Sequence, residues 1–488
     1  MEDRSGLDPW RVASLPEPPR PRGVQWFGVV GPGVIVLGAS IGSGEFLLGP
    51  AAFVRYGLTM LWVALCAMVL QTLFNQELMR YTMATGEPAV TGFMRTRPSA
   101  RFWAWFYAAL YLLQVGWPAW AGTAAGAFFF LFMKRLSAAP DAAVVYAIGV
   151  ALFVICVGIL LVGRRIERTL EVLNWVLVAC ILTGFLVLAL RFAPAGTWAD
   201  AALGLVGYSP SQQRFIFLPE GADYLLIGAF AGYSGAGGVI NIALSNWARD
   251  RGYGMGGVAG YIPAAVGGSR TELAHTGFRF EDTPEEMAKW RGWWRIVRAD
   301  QWGIFFAGAV LGMVLPALLY VTFLQAGTDI RGYGIAAALA QAMVTAGAPL
   351  LGGLVALIGA WILFKTQLDV LDGLVRSLTD ILWTGSRRIR AWRHGDVRRV
   401  YYAVLGVIVV WGVIALNLAQ PIFLLQLGAN IGGAVLCFAS LHLLYVNTTL
   451  LPRHVRPPLW RRIGLVLCAL FYGTFVILWL RVMLAGSV

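Results

Sequence analysis

The chain has 488 residues, 58% apolar and 13% charged, with a mean hydropathy of +0.69. A soluble fold of this length needs far more polar surface, so a polytopic, all-α membrane protein is expected. The formal net charge of +13 would suit a nucleic-acid partner, but the placement of the basic residues argues against one.

Residues 1–23 are rich in Pro and Arg and lack an apolar core, which predicts a cytosolic tail and not a signal peptide. Spanning a bilayer takes about 20 apolar residues. Stretches of that kind lie at 24–54, 58–80, 102–133, 142–162, 168–192, 223–248, 301–325, 350–382, 400–419, 420–446 and 462–485. Eleven helices are therefore predicted, with a very short turn at Gln420-Pro421. Helices 1–5 fill 24–192, an outer loop 193–222, helices 6–10 fill 223–446, and a loop with helix 11 fills 447–488.

The first span holds Leu37-Gly38-Ala39-Ser40-Ile41-Gly42-Ser43-Gly44-Glu45-Phe46. Gly42 and Gly44 let a helix unwind and free its backbone groups, which at membrane depth must line protein or a water-filled cavity. A carboxylate there is costly, so Glu45 is a functional-site candidate by default. The third span contains no Asp, Glu or His; its polar points are Gln114, Trp117, Trp120 and Thr123, and Pro118 predicts a kink. The outer loop is polar and aromatic around Tyr208-Ser209-Pro210, placing it as a cap on the outer vestibule.

The sixth span repeats the oddity of the first. Gly228 to Gly238, which includes Tyr233-Ser234-Gly235-Ala236-Gly237, is too glycine-rich for an unbroken helix, and Asn241, Ser245 and Asn246 follow. One such span would be read as close helix packing. A matched pair, heading two sets of five, predicts an inverted repeat with a midplane binding site at the two breaks. The candidate binding residues are Ser40, Gly42, Ser43, Glu45, Tyr233, Ser234, Gly235 and Gly237, with Glu45 as the one candidate metal ligand.

The inner loop, 249–300, carries a capping box at Thr283-Pro284-Glu285-Glu286. Trp290, Trp293, Trp294 and Val297 then alternate with basic residues, predicting a helix over 283–298 in the headgroup layer. On the eighth span Lys365, Asp369, Asp372, Arg376 and Asp380 share one face. This is either a self-neutralised ladder with Lys365–Asp369, Asp372–Arg376 and Arg376–Asp380 pairs, reaching into the cytosolic end, or a coordinating set. Asp369 and Asp372 join Gln114, Asn241, Gln420, Gln426 and Asn430 as candidates for coupling or for bracing the site. His442 reads as a hydrogen-bonded packing residue.

With the amino terminus inside, thirty of the 38 basic residues fall in alternate, cytoplasmic connections. Only Arg55, Lys134, Arg135, Arg191, Arg214, Arg331 and Arg481 fall outside, and Lys365 lies within a span. That bias obeys the positive-inside rule and puts the carboxyl terminus outside a multi-pass cell-membrane protein. The charge thus reports orientation and anionic lipid, and no nucleic-acid partner is expected. Cys66, Cys156, Cys180, Cys437 and Cys468 lie in apolar runs without ligand spacing and read as reduced, buried packing residues. There is no nucleophile–base set, P-loop or zinc spacing, so neither an enzyme nor a bound cofactor is expected.

Several motifs resemble the Nramp family of proton-coupled divalent-metal transporters, which have the LeuT-type fold. They are Gly31-Pro32-Gly33, Gly57-Leu58-Thr59-Met60-Leu61-Trp62, Gln76-Glu77-Leu78 with Arg80 and Ala84-Thr85-Gly86, and Ala419-Gln420 with Gln426-Leu427. The close matches concentrate in the first ninety or so residues, and the span order agrees throughout. The resemblance implies a LeuT-type five-plus-five repeat with broken helices 1 and 6. The departures fall at the site. The family's first-helix Asp-Pro-Gly-Asn stands here as Gly42-Ser43-Gly44-Glu45, and its sixth-helix Met-Pro-His is absent. Without the thioether, the remaining oxygen set suits Mg²⁺, Ca²⁺, Mn²⁺ or Na⁺ better than Fe²⁺. The family's acidic and histidine proton path is missing too, which would leave Glu45 to carry a coupled proton. The expected function is secondary transport of a divalent cation. The alternatives are a cation-coupled symporter of a small amine or amino acid and, below it, a non-transporting membrane sensor.

Overall fold

The computed structural model describes residues 6–162, 166–264, 272–330 and 334–484. Of the basic residues counted above, Arg4, Arg164, Arg165, Arg270 and Arg331 lie outside them. Among the described residues the protein is all-α apart from isolated bridges and two two-stranded pairings, Arg11–Val12 with Phe278–Arg279 and Tyr208–Ser209 with Arg214–Phe215. Ten described helices are long and apolar enough to cross a membrane.

The chain opens with α1 (Pro32–Ser40), continues through a π-helical stretch, Ile41–Leu48, and ends the first span in α2 (Gly49–Tyr56). Long α3 (Leu61–Thr85) and short α4 (Ala89–Met94) follow. The third span is two helices, α5 (Ala100–Val115) and α6 (Ala119–Met133), parted at Gly116-Trp117-Pro118 where Pro118 cannot donate to the ladder. The fourth and fifth are α7 (Ala142–Leu161) and α8 (Ile166–Phe192). The loop over 193–222 holds a helix that the sequence does not announce, α9 (Ala195–Gly204). Trp62 Nε1 donates to the Phe217 carbonyl at 2.9 Å, tying this loop to α3.

The sixth predicted span is two short helices, α10 (Tyr224–Tyr233) and α11 (Val239–Asp250). A single turn, α12 (Gly256–Ala259), precedes α13 (Pro284–Arg298). Thr283 Oγ1 accepts from the Glu286 N–H at 3.2 Å, which is half of the capping box. The Glu286 carboxylate turns away to accept from Leu15 N and Ser14 Oγ, both at 2.6 Å. The amino-terminal segment therefore covers this helix: Trp293 Nε1 donates to the Pro16 carbonyl at 2.8 Å, and Trp290 and Trp293 are buried. The helix expected to lie on lipid through these residues instead packs them on protein. It also runs without a break through a second π-helical stretch, Ala299–Phe306, into α14 (Ala307–Phe323).

Next come α15 (Ile335–Thr345), the 37-residue α16 (Pro349–Gly385), and the short α17 (Arg387–Ala391). The chain closes with α18 (Val397–Ala415), α19 (Pro421–Thr449) and α20 (Leu459–Leu484). Pro421 starts α19 at a first-turn position, where its missing N–H costs nothing, so the turn at Gln420 is as short as expected. α16 packs along α5, α6 and α15 and against α1; α10 lies on α19 and α20, and α11 on α3. Two cysteine expectations hold, Cys156 and Cys468, both buried; Cys66 and Cys437 are half-buried and Cys180 is exposed on the apolar surface, where a small thiol costs little.

Candidate functional site

The two glycine-rich stretches meet. A Cβ added to Gly44 would lie 2.0 Å from the Tyr233 carbonyl oxygen, so only glycine permits this approach of the first span to the end of α10. The stretches solve their backbone problem differently. Ile41–Leu48 does not unwind; it widens into a π-helix and keeps its hydrogen bonds within the chain, each donor reaching one residue further back. Between α10 and α11 the helix breaks outright, with Gly235, Gly237 and Gly238 at φ +103°, +82° and +56°. L-residues rarely enter that region, so the sequence could open here and not at Ser43 or Glu45.

The bare backbone of this break is met by two glutamines on neighbouring helices. Gln71 of α3 donates to the Ser234 carbonyl at 2.9 Å and accepts from Gly237 N at 3.1 Å and Asn241 Nδ2 at 3.0 Å. Gln114 of α5 donates to the Gly237 carbonyl at 3.0 Å and accepts from Val239 N at 2.9 Å. Asn75 Oδ1 holds Asn241 from α3 at 2.9 Å, and Tyr472 of α20 lies 2.8 Å from Gln71 Nε2. Gln114 and Asn241 were singled out from the sequence; Gln71, Asn75 and Tyr472 were not. The spacing of Gln71 and Asn75, one turn apart on an apolar helix, was the signal available.

Glu45 is fully buried. Its Oε1 accepts a short hydrogen bond from Ser40 Oγ, whereas Oε2 has no hydrogen-bond partner. Its own backbone N–H, the Gly235 N–H and the Lys365 ammonium also bear on this carboxylate. Ser43 Oγ donates to the Ala39 carbonyl at 2.9 Å and accepts from Trp120 Nε1 at 3.0 Å. Trp120 in turn lies against the Tyr233 ring, centroids 5.8 Å apart. The Tyr233 hydroxyl is buried without a full hydrogen bond, beside Gln114 and Gly428. Ser234 Oγ is spent on the Phe230 carbonyl at 2.7 Å. Gly42 rests on Thr366 of α16. Ser40, Ser43, Glu45, Tyr233, Ser234 and the glycines are thus brought together at one junction.

The α16 stripe is a different structure. All five of its charged groups are buried, so none extends into solvent. Lys365 Nζ stands 2.8 Å from Asp369 Oδ2, and Asn174 Nδ2 donates to Asp369 Oδ1 at 3.0 Å. Arg376 pairs with Asp372 at 3.0 Å, as the spacing predicts, but not with Asp380. Its second partner is Asp250 of α11, while Asp380 is taken by Arg249 at 2.6 Å and Asn246 at 2.6 Å. Asp372 also accepts from Trp247 Nε1 and Tyr401 Oη, each at 2.7 Å. Asp372 is therefore consumed by charged and neutral donors, whereas Asp369 is neutralised by Lys365 but its Oδ2 accepts no hydrogen bond.

The tenth-span candidates separate. Gln420 is exposed at the turn before α19, unlike the buried residues of the junction, because the helix starts only after it. Asn430 donates to the Leu225 carbonyl at 3.0 Å and to that of Gln426 at 2.9 Å, bracing α10. Gln426 is buried with its amide nitrogen unpartnered. His442 stacks on Phe93 with ring centroids 4.5 Å apart and bonds Tyr107 and Thr96 at 2.9 Å, a packing residue as expected.

Chemically, the junction offers one partly unsatisfied carboxylate, hydroxyls and carbonyl oxygens, and an unpaired buried carboxylate oxygen calls for a proton or a cation. Among the described residues no three His, Cys, Asp or Glu side chains converge as a ready metal cage.

No family model matches the chain, and no curated relative matches it. Solved structures of a manganese transporter from Eremococcus coleocola do. A glutamate-to-alanine variant of that protein superposes with a TM-score of 0.66 at 15% identity, covering 96% of this chain and 90% of that one. A histidine-to-alanine variant gives 0.63 at 15% identity, over 94% and 88%. Its complex with an aromatic bis-isothiourea compound gives 0.59 at 15% identity, over 98% and 89%. Over nearly its whole length, the chain has the fold of this manganese transporter.

Proposed function

We propose that this protein is a secondary-active transporter that carries a hard divalent cation, Mn²⁺ or Mg²⁺ in character, through the junction of its first and sixth spans. The observation that carries the reading is the fully buried Glu45 oxygen without a partner, set where a π-helical span meets a broken one. The fold shared with a manganese transporter supports it. In this reading Glu45 neutralises the cation, and Ser40, Ser43, Tyr233, Ser234 and nearby carbonyls complete its shell. The Lys365–Asp369 pair is internally neutral, which leaves Glu45 to set the charge of the site. Glu45 would also carry the coupled proton.

The proposed topology is eleven spans, α10 and α11 together forming the sixth, with the amino terminus cytoplasmic and the carboxyl terminus outside. Spans 1–5 and 6–10 form the inverted repeat, residues 1–23 the tail and 447–488 the final loop and span. Alternating access comes from rocking of spans 1, 2, 6 and 7 against the rest.

A second reading is a cation-coupled symporter of a small organic amine or amino acid. The solitary carboxylate favours it, because an ammonium group needs one counter-charge and a few acceptors, whereas divalent sites usually gather more. Uptake by the wild-type protein in proteoliposomes separates the two. Mn²⁺ and Mg²⁺ entry that rises with an inward proton gradient supports the first; amine or amino-acid entry without metal flux overturns it in favour of the second.

A further inference from the structure

We propose that a groove between the end of α3, the α13–α14 helix and the start of α20 binds the phosphate headgroup of an anionic phospholipid. The cavity, about 460 Å³, is lined chiefly by Arg80, Trp294, Arg298, Trp302, Trp460 and Arg461. Nothing in the transport reading uses it.

Two of the guanidinium groups are held in place before any ligand arrives. Glu77 accepts from Arg80 Nε at 2.8 Å and from Arg461 Nη1 at 3.2 Å. Arg80 Nη1 also reaches the Val455 carbonyl at 2.9 Å, and Arg461 Nη2 reaches Gln76 at 2.7 Å. Both lie over the Trp294 ring, 4.3 and 4.7 Å from its centroid, and Arg461 lies 4.4 Å from that of Trp460. Arg298 is exposed and has no carboxylate partner among the described residues. Three guanidiniums against the single Glu77 carboxylate leave the groove cationic. A planar fork of N–H donors is the group best matched to phosphate oxygens, and tryptophan bodies sit well at headgroup level.

The source of the phosphate is indicated by what adjoins the groove. From Trp460, 56% exposed, a strip of Ile463, Leu467 and Leu470 runs up the same face of α20, each at least half exposed. A dissolved anion gains nothing from that strip, whereas an acyl chain attached to the headgroup would lie along it.

The test is native mass spectrometry of the full-length protein exchanged into phosphatidylglycerol or phosphatidylcholine, with inorganic phosphate as a third arm. The expected result is selective retention of phosphatidylglycerol. Arg298→Gln should weaken it about fivefold, the weight of one basic residue near a charged bilayer surface. Trp460→Ala with Leu467→Ser should weaken it independently. These positions are exposed, so folding is retained, and the melting temperature without lipid verifies this. Equal retention of both lipids, or no change in Arg298→Gln, would overturn the proposal. So would inorganic phosphate binding as well as the lipid and indifferently to the Trp460/Leu467 variant, which would mark a soluble-anion pocket.

Discussion

Two buried sets of charge treat most of their carboxylates in opposite ways. On α16 and α11, Asp250, Asp372 and Asp380 are each matched by arginine and by neutral donors until their oxygens are satisfied. At the junction of the first and sixth spans, Glu45 receives one hydroxyl and keeps one oxygen bare. Burial is equal in both places, so burial does not distinguish them. What distinguishes Glu45 is an oxygen without a hydrogen bond on a side chain that has no ion pair within 4 Å among the described residues, and the proposal that it meets a cation rests on that difference.

The contrast can be broken at the ladder first. Removing one member of a buried ion network strands its partners, at a cost of about 3–5 kcal/mol. Arg376→Met should therefore strip Asp372 of its counter-charge and leave Asp250 and Asp380 to share Arg249, abolishing the monodisperse protein, as size-exclusion chromatography and thermal melting would reveal. A stable, normally folded Arg376→Met protein would make the ladder dispensable and erase the distinction. Gly44→Ala comes next. A methyl group 2.0 Å from the Tyr233 carbonyl cannot be accommodated without separating the two spans. Uptake should fall at least about tenfold while the melting temperature drops by only a few degrees, since overpacking costs about 1–3 kcal/mol.

The smallest effect concerns a paired carboxylate outside the spans. Burial would raise the pKa of Glu87, but the Arg95 guanidinium, with hydrogen bonds from Tyr81 and Gly277 N, brings it below the ordinary value. A depressed folded-state value means that the stability it contributes is complete above the unfolded carboxylate range and lost as pH falls through the folded one. Glu87→Gln should lower the melting temperature at neutral pH, and the gap to wild type should narrow on acidification below about pH 4. A gap independent of pH would show that Glu87 acts through shape and not charge.

Much of this was legible in the sequence. Apolar runs located the spans because a bilayer-spanning helix has few alternatives, and Glu45 stood out because a carboxylate amid glycines has no place in a plain spanning helix. What failed to show was whatever depends on a second element. Spacing placed Arg376 next to Asp380 because it sees one helix only; the actual partner, Asp250, arrives from α11. The glutamine brace at the sixth-span break joins Gln71 and Gln114 to residues more than a hundred positions away. Glycine content alone could not separate the π-helical first span from the broken sixth, since glycine permits both. Trp293 was assigned to lipid because nothing local announces that residues 14–18 fold back over it.

The most direct test of the central claim is Mn²⁺ and Mg²⁺ uptake into proteoliposomes by Glu45→Gln beside wild type, both verified as folded by melting temperature. The substitution keeps the shape of the side chain and the Ser40 contact but removes the charge. The account predicts that uptake falls to the level of protein-free vesicles while stability is unchanged or increased, because an unpaired buried charge has been removed. Undiminished metal uptake by Glu45→Gln would contradict it.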